Sequence, residues 1–461
     1  MTRHQPQIQT TEEGAGMARR RSARLHPQIS ASEQSAGVTC RRSPRLHPQT
    51  QEIRRSPRLH PQIEAGKDGA GVTRRIRRRR GGASPASLPD DDDMLREILI
   101  RLPPQPSSLP RASAVCKRWR GLVTEPKFHR QFYAHHRNPP ILGVFERNFQ
   151  GILFTPVLDP PNRIPPQRFN LGCSSRDYDL LDCRHGLVLA KDQMRNEVFV
   201  YDPITREQRQ VAVPLEFKRD YYYLTGVVVC PAGNQDHMRG GCHLSPFKVV
   251  LVSMHREDNQ TLACVYCSET GKWDNLISTE APCAINDFGT PATLVGNVLH
   301  WLFNGDRILE FDLDRQNLVV TMGPRFTNEF LHGKRRIIQA EDGAVGFAIL
   351  AHPRFRLWQR NINCHGVATW APWKTIQMHK IVGLPLQIRG EIRWLLGYDE
   401  DNGVIFLYAN DSVYAVQLKS MHSKKLYKIY SINQIHPFTS FYTPGTAING
   451  GSNGAEMLQD T

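Results

Sequence analysis

The chain has 461 residues, 40% of them hydrophobic, with 34 Gly and 32 Pro. That length suits two or three domains at about 150 residues each, and the turn-former content argues against a long helical array. The net charge of +15 resides almost wholly in residues 1–85, where 18 Lys and Arg face 6 Asp and Glu, so it does not describe the folded body. No run approaches the roughly 18–20 apolar residues of a membrane span. The start, Met1-Thr2-Arg3-His4-Gln5-Pro6, has no apolar segment of the secretory type, so a soluble, intracellular protein is expected.

Residues 1–85 read as a disordered Arg-rich tail, with too little apolar surface to offset the entropy of ordering. The tail repeats itself: Arg20 to Gln28 (Arg-Arg-Ser-Ala-Arg-Leu-His-Pro-Gln) returns as Arg41 to Gln49 and as Arg54 to Gln62, with Pro44 and Pro57 in place of Ala23. Unequal spacing excludes a stacked solenoid. The run Arg74, Arg75, Arg77, Arg78, Arg79 and Arg80 reads as a nuclear-localisation candidate, ahead of a solvated tail or a sequence-blind phosphate contact. It places the chain in the nucleus and/or the cytoplasm. Ser43-Pro44 and Ser56-Pro57 suit proline-directed phosphorylation, but such pairs are common in disordered tails.

Residues 86–132 change to helical periodicity. Asp90 to Asp93 supply a cap and an acidic first turn. Leu95, Ile98, Leu99 and Leu102 then fall at i, i+3, i+4 and i+7, one apolar stripe. Pro103-Pro104 stops this helix. Ser107 or Ser108 opens a second, carrying Leu109, Ala112 and Val115. A third carries Trp119, Leu122 and Val123 and ends near Pro126. Pro110 falls in the first turn of the second helix, where a missing amide is tolerated. Three short helices make a marginal core, so the unit is expected to lean on a partner or on the next domain.

Residues 140–445 read as β throughout, in short runs such as Glu197 to Tyr201, Lys248 to Val252, Ile308 to Phe311 and Val404 to Tyr408. Strands leave repeatedly into similar turns, at Tyr201-Asp202-Pro203-Ile204-Thr205, Cys267-Ser268-Glu269-Thr270-Gly271 and Phe311-Asp312-Leu313-Asp314. Hairpins recurring at tens of residues favour a propeller of about six or seven blades over one sandwich. Residues 446–461 read as a flexible tail. The expected fold class is therefore α+β and multidomain, a short three-helix unit followed by an all-β, propeller-like domain.

The segment Leu88-Pro89-Asp90 through Ile98-Leu99-Ile100-Arg101-Leu102-Pro103, continued by Val115-Cys116-Lys117-Arg118-Trp119, resembles an F-box. With Cys183-Arg184-His185-Gly186-Leu187 and Tyr201-Asp202-Pro203 downstream, the chain resembles plant F-box proteins with a propeller-like associated domain. The resemblance implies a non-catalytic substrate-recognition subunit of an SCF-type ubiquitin ligase. Its F-box would bind a Skp-type adaptor and, through it, a cullin-RING scaffold, and its β domain an unknown target protein. It implies adaptor contact or supporting core for Leu88, Pro89, Ile98, Leu99, Leu102, Pro103, Leu109, Val115, Cys116 and Trp119, about half of them touching directly. Helix-in-groove docking by spaced apolar anchors, with Trp as a hot spot, fits this reading.

Catalytic and metal readings are weak. Gly450-Gly451-Ser452-Asn453-Gly454 has the spelling of a nucleophile elbow without the strand and helix that chemistry needs. Cys264-Val265-Tyr266-Cys267 lacks the second pair that tetrahedral zinc requires. His135, His136 and His185 read as surface or satisfied histidines. No catalytic residue, metal, cofactor or membrane contact is expected. The alternative function is a nuclear binding protein whose Arg-rich tail contacts nucleic acid in a salt-sensitive way, with no ubiquitin-ligase role.

Overall fold

The computed structural model describes residues 91–148, 150–169, 171, 178–217, 222–230, 246–255, 260–280, 291–303, 307–324, 334–351, 353–382, 392–429 and 434–443. The chain divides into two units, Met1–Gly81 and Gly82–Thr461, and every described residue belongs to the second. The repetitive tail, the Arg74 to Arg80 run and the Gly450 to Gly454 pattern lie outside the described residues.

Helices come first. Asp91 caps α1 (Asp92–Ile100), its carboxylate accepting the Asp93 amide at 2.9 Å, and Asp92 and Asp93 fill the acidic first turn where the dipole favours them. Next are α2 (Ser108–Ser113) and α3 (Lys117–Thr124). Pro110 is the third residue of α2, among the positions whose amides have no helical acceptor. The expected three helices prove to be four. Pro126, read as a stop, is the first residue of α4 (Pro126–His136), the position where its fixed φ and missing N–H suit a helix start. Phe128 and Phe132 of α4 complete a buried cluster with Leu95, Leu99, Leu109, Leu122 and Val123. Ile98 departs from the expected stripe and is 44% exposed.

Six antiparallel sheets follow among the described residues. The first begins with β1 (Ile141–Asn148) and β2 (Gly151–Pro156). Blade 2 is β3 (Tyr178–Arg184), β4 (Leu187–Asp192), β5 (Glu197–Tyr201) and β6 (Gln208–Ala212). In blade 3, β7 (Tyr222–Val229), β8 (Lys248–His255) and β9 (Gln260–Cys267) carry a broken outer edge, β10 (Lys272–Trp273) and β11 (Ile277–Glu280). Blade 4 holds β12 (Thr293–Val295), β13 (Val298–Leu302), β14 (Arg307–Asp312) and β15 (Asn317–Met322). Blade 5 holds β16 (Arg335–Gln339), β17 (Val345–Ala351), β18 (Arg354–Ile362) and β19 (Ala368–Gln377), then α5 (Met378–Val382). Blade 6 is β20 (Ile392–Asp399), β21 (Val404–Ala409), β22 (Ser412–Gln417) and β23 (Ser423–Lys428). The last strand, β24 (Ile435–Thr439), returns to pair with β1, Phe145 opposite His436. The fold is thus a six-bladed propeller whose first blade is built from both ends of its chain.

The recurring turn seen in the sequence joins the third and fourth strands of successive blades. In blades 2, 3, 4 and 6 one hydrogen bond closes it: Arg206 N–H to Asp202 O, Gly271 to Cys267, Gln316 to Asp312 and Met421 to Gln417, at 2.7–2.9 Å. The closing residue has positive φ in all four, 65°, 68°, 48° and 59°. In blades 2 and 4 an aspartate caps the turn, Asp202 Oδ1 accepting the Ile204 amide and Asp312 Oδ1 the Asp314 amide. This is the Asx geometry that makes Asp a turn residue.

The seam between the ends is tightly packed. Phe438 of β24 is fully buried, its ring 5.4 Å from Phe145, 5.2 Å from Phe169 and 6.0 Å from Phe154. Gly397 of β20 lets the neighbouring strand approach, since a Cβ there would lie 2.6 Å from the Ile435 carbonyl oxygen. Phe438→Ala is expected to lower the unfolding free energy by about 3–5 kcal/mol, whereas Val319→Ala, at a position 45% exposed on β15, should change it by no more than about 0.5 kcal/mol. Urea unfolding monitored by tryptophan fluorescence measures both, and equal small effects would contradict the assignment of the seam.

Candidate functional site

The residues singled out in the helical unit divide into two sets. Leu99 and Leu109 are 0% and 3% exposed, and Leu102 and Trp119 pack half-buried against the same cluster. These four support the helices from within. Ile98 and Val115 are 44% and 57% exposed, and Pro103 and Cys116 also face solvent. Leu88 and Pro89 lie outside the described residues. Met94, which the sequence reading missed, is 58% exposed one helical turn before Ile98, so the two share a face of α1. Its signal was present in that i, i+4 spacing.

Ion pairs hold this face in shape. Arg96 bridges α1 to Glu125 at 2.7 Å, and Arg118 of α3 reaches Asp92 at 2.7 Å. The hydrogen bond that Arg96 donates to Glu125 is the main reason that Arg96 is held above its ordinary pKa. The exposed charges on these helices are of both signs, Asp92, Asp93 and Glu97 on α1 and Arg111, Lys117, Arg118 and Arg120 on α2 and α3. Such a surface offers apolar anchors among charged side chains.

The helical unit is fastened to one end of the propeller. Tyr133 of α4 stacks on Phe441 at 4.4 Å, and burial pushes its hydroxyl up to about 12. Ser107 donates its amide to Asn162 Oδ1 at 3.1 Å. Asn138 Nδ2 donates to the Asp401 carbonyl at 2.6 Å, and Asn402 Nδ2 donates to the Pro139 carbonyl at 3.2 Å. Residues 399–402, the end of β20 and the turn toward β21, therefore hold the segment leading from α4 into β1.

At the same end, the central channel about which propeller blades stand contains buried charge that the sequence reading did not select. Arg184, at the end of β3, pairs with Glu400, reaches Asp182 at 3.4 Å and donates to the Ala292 carbonyl at 2.8 Å. It thus ties blades 2, 4 and 6. Burial opposes its charge, but Glu400 and Asp182 outweigh that and hold Arg184 above its ordinary pKa. Asp182 also accepts the Val228 amide at 3.1 Å; burial pushes its carboxyl up against the pull of Arg184. Arg336 of β16 donates to the Leu396 carbonyl at 2.9 Å and has a buried Nε without a partner; burial lowers it to about 10. His436 of β24 is held down to about 3 by burial and then by the charges of Arg336 and Arg184. A polar hint existed, the pair Arg335-Arg336 that opens β16 ahead of Ile337 and Ile338.

The remaining candidates take structural places. Cys264 is buried, its thiol donating to the Asp274 carbonyl at 3.1 Å and raised by burial to about 11. His136 lies 3.0 Å from the Ile100 carbonyl, and His185 Nδ1 accepts the Cys230 amide at 3.4 Å. Among the described residues no group of three or more His, Cys, Asp or Glu stands together to hold a metal ion, and no helix is long and apolar enough to cross a membrane.

The buried histidine gives a signed pH effect. Its folded pKa is depressed, so its contribution is complete above the ordinary value near 6.5 and is lost as pH falls toward 3. Between pH 6.5 and 4 this amounts to at most about 3 kcal/mol. His436→Gln should therefore flatten the acid limb of a plot of unfolding free energy against pH, and an unchanged limb would show that His436 is not held neutral.

Sequence comparisons agree with this architecture. An F-box domain profile matches residues 86–131. The profile described as F-box protein AT5G49610-like, beta-propeller, matches residues 179–445. A curated relative, F-box protein At5g07610 of Arabidopsis thaliana, is 25% identical over 276 residues, covering 55% of this chain and 61% of that protein. The chain thus spans about three-fifths of the relative's length. The solved structures matched include the Dos1 propeller, at 10% identity over 63% of this chain and 69% of that one with a TM-score of 0.33. Another is an oligogalacturonate lyase in complex with manganese, at 10% identity over 53% of this chain and 62% of that one with a TM-score of 0.31. With the propeller profile spanning more than half of its length behind an F-box, the chain belongs to the AT5G49610-like family of F-box propeller proteins.

Proposed function

We propose that the chain is the substrate-recognition subunit of an SCF-type ubiquitin ligase, with a Skp-type adaptor on its F-box and a target protein on its propeller. The observation that carries this reading is a completed helical core that still exposes Met94, Ile98 and Val115. A unit that has closed its own core has no internal use for those side chains, and apolar anchors with a charged rim suit a partner helix or groove. Pro103 and Cys116 extend the docking surface, while Leu99, Leu102, Leu109 and Trp119 back it; Leu88 and Pro89 are assigned to it by the F-box resemblance alone.

The target would occupy the propeller end remote from the helices. Antiparallel strands alternate direction, so the β4–β5 turn and the β6–β7 connection leave from that end; Met194 and Leu215 there are 78% and 76% exposed. The role is non-catalytic. Acceleration comes from holding the target near a conjugating enzyme carried elsewhere in the assembly. The Arg74 to Arg80 run would direct nuclear import, giving a protein of the nucleus and the cytoplasm.

The test separates docking from folding. Ile98→Asp with Val115→Asp should abolish co-purification with a Skp-type adaptor while the unfolding midpoint hardly moves. Leu99→Ala should instead lower stability by about 2–5 kcal/mol. Adaptor capture that survives the paired Asp variant would refute the reading.

A further inference from the structure

Residues 399–402, at the β20–β21 turn, make contacts in two directions. Glu400 points into the channel and pairs with Arg184. Asp399 and Asn402 bond to one another at 2.7 Å, and Asn402 reaches outward to the Pro139 carbonyl. The Asp401 carbonyl accepts from Asn138. Gln417 Nε2 fixes the Asn402 carbonyl at 2.8 Å, and Asp399 Oδ1 accepts the Asp401 amide at 3.2 Å, so the turn is braced from its own blade. Arg184 in turn connects to blades 2 and 4 through Asp182 and the Ala292 carbonyl.

We propose that this turn is a joint that couples the channel network to the linker bearing the F-box, so that loss of the Arg184–Glu400 pair loosens the attachment of the helices and loss of the linker contacts loosens the channel. The reasoning is mechanical. Four consecutive residues cannot move their inward and outward contacts independently when the Asp399–Asn402 bond closes the turn. A buried Arg184 deprived of one carboxylate must reorganise, since an under-paired buried cation is costly. The partner it loses sits in the turn, so the adjustment begins there. The inference goes beyond the receptor reading and does not depend on what binds either end.

Linkage makes the coupling reciprocal, which gives two independent readouts in the full-length protein by amide hydrogen exchange. Glu400→Gln should speed exchange in the last turn of α4 and in residues 137–138 by about tenfold, the scale of a typical coupling. Asn138→Ala, a surface change that leaves the channel side chains intact, should speed exchange of the Val228 amide, which donates to Asp182. Arg360→Gln breaks a comparable inter-blade pair, that with Glu310, away from the turn, and should leave α4 unchanged. The proposal is overturned if Asn138→Ala leaves Val228 protected as before, or if Arg360→Gln loosens α4 as much as Glu400→Gln does. The first of these outcomes holds even if Glu400→Gln fails to fold. Adaptor capture is read separately, so its loss does not bear on the joint.

Discussion

Everything in the folded body depends on one closure. A propeller blade packs only against its neighbours, so an open ring would leave two sheet faces bare. Here the ring is closed by β24, which lies beside β1 and touches both β20 and β3. The seam is held without covalent bonds, by the Phe438 cluster and by the close approach at Gly397. Because β1 follows directly from the helices, the strand that closes the ring also fixes where the helical unit leaves it. The aromatic stack of Tyr133 on Phe441, two residues beyond β24, joins the two events.

This arrangement explains how a four-helix unit of marginal size has a defined position. Its core is small, and an isolated segment of such length has little burial to offset chain entropy. The propeller supplies the remainder through the Asn138, Asn402 and Ser107 contacts. The exposed face of the helices and the far end of the propeller are then held in a fixed relation, as the proposed receptor role requires. A receptor that must present a bound protein to a distant enzyme needs that relation more than it needs any reactive group.

Much of this was legible in the sequence. Glu197 to Tyr201 reads as a strand and is β5 as predicted, and the three turns picked out by their shared spelling occupy equivalent places in blades 2, 3 and 4. Local chemistry fixes those features, so they survive without tertiary context. The blade count was legible only as a range, because strands such as β12, of three residues, and the broken β10–β11 edge blur the period. The fourth helix was missed because Pro126 carries the same letter whether it ends one helix or begins another. Ile98 and Leu99 are adjacent on a helix and nearly alike in hydrophobicity, and only the packing of α4 decides which is core. Beyond the Arg335-Arg336 hint, the grouping of the channel charges was illegible for a related reason: Arg184, Arg336, Glu400 and His436 are scattered over the chain and meet only when the ring closes.

The central claim is that the exposed face of α1 and the α2–α3 turn is an adaptor-docking surface borne by the propeller. Calorimetric titration of the full chain with a purified Skp-type adaptor tests it most directly. The account predicts a one-to-one complex with a negative heat-capacity change, the mark of apolar surface leaving water. A titration with no saturable heat at any temperature, for a chain that still unfolds cooperatively, would contradict it.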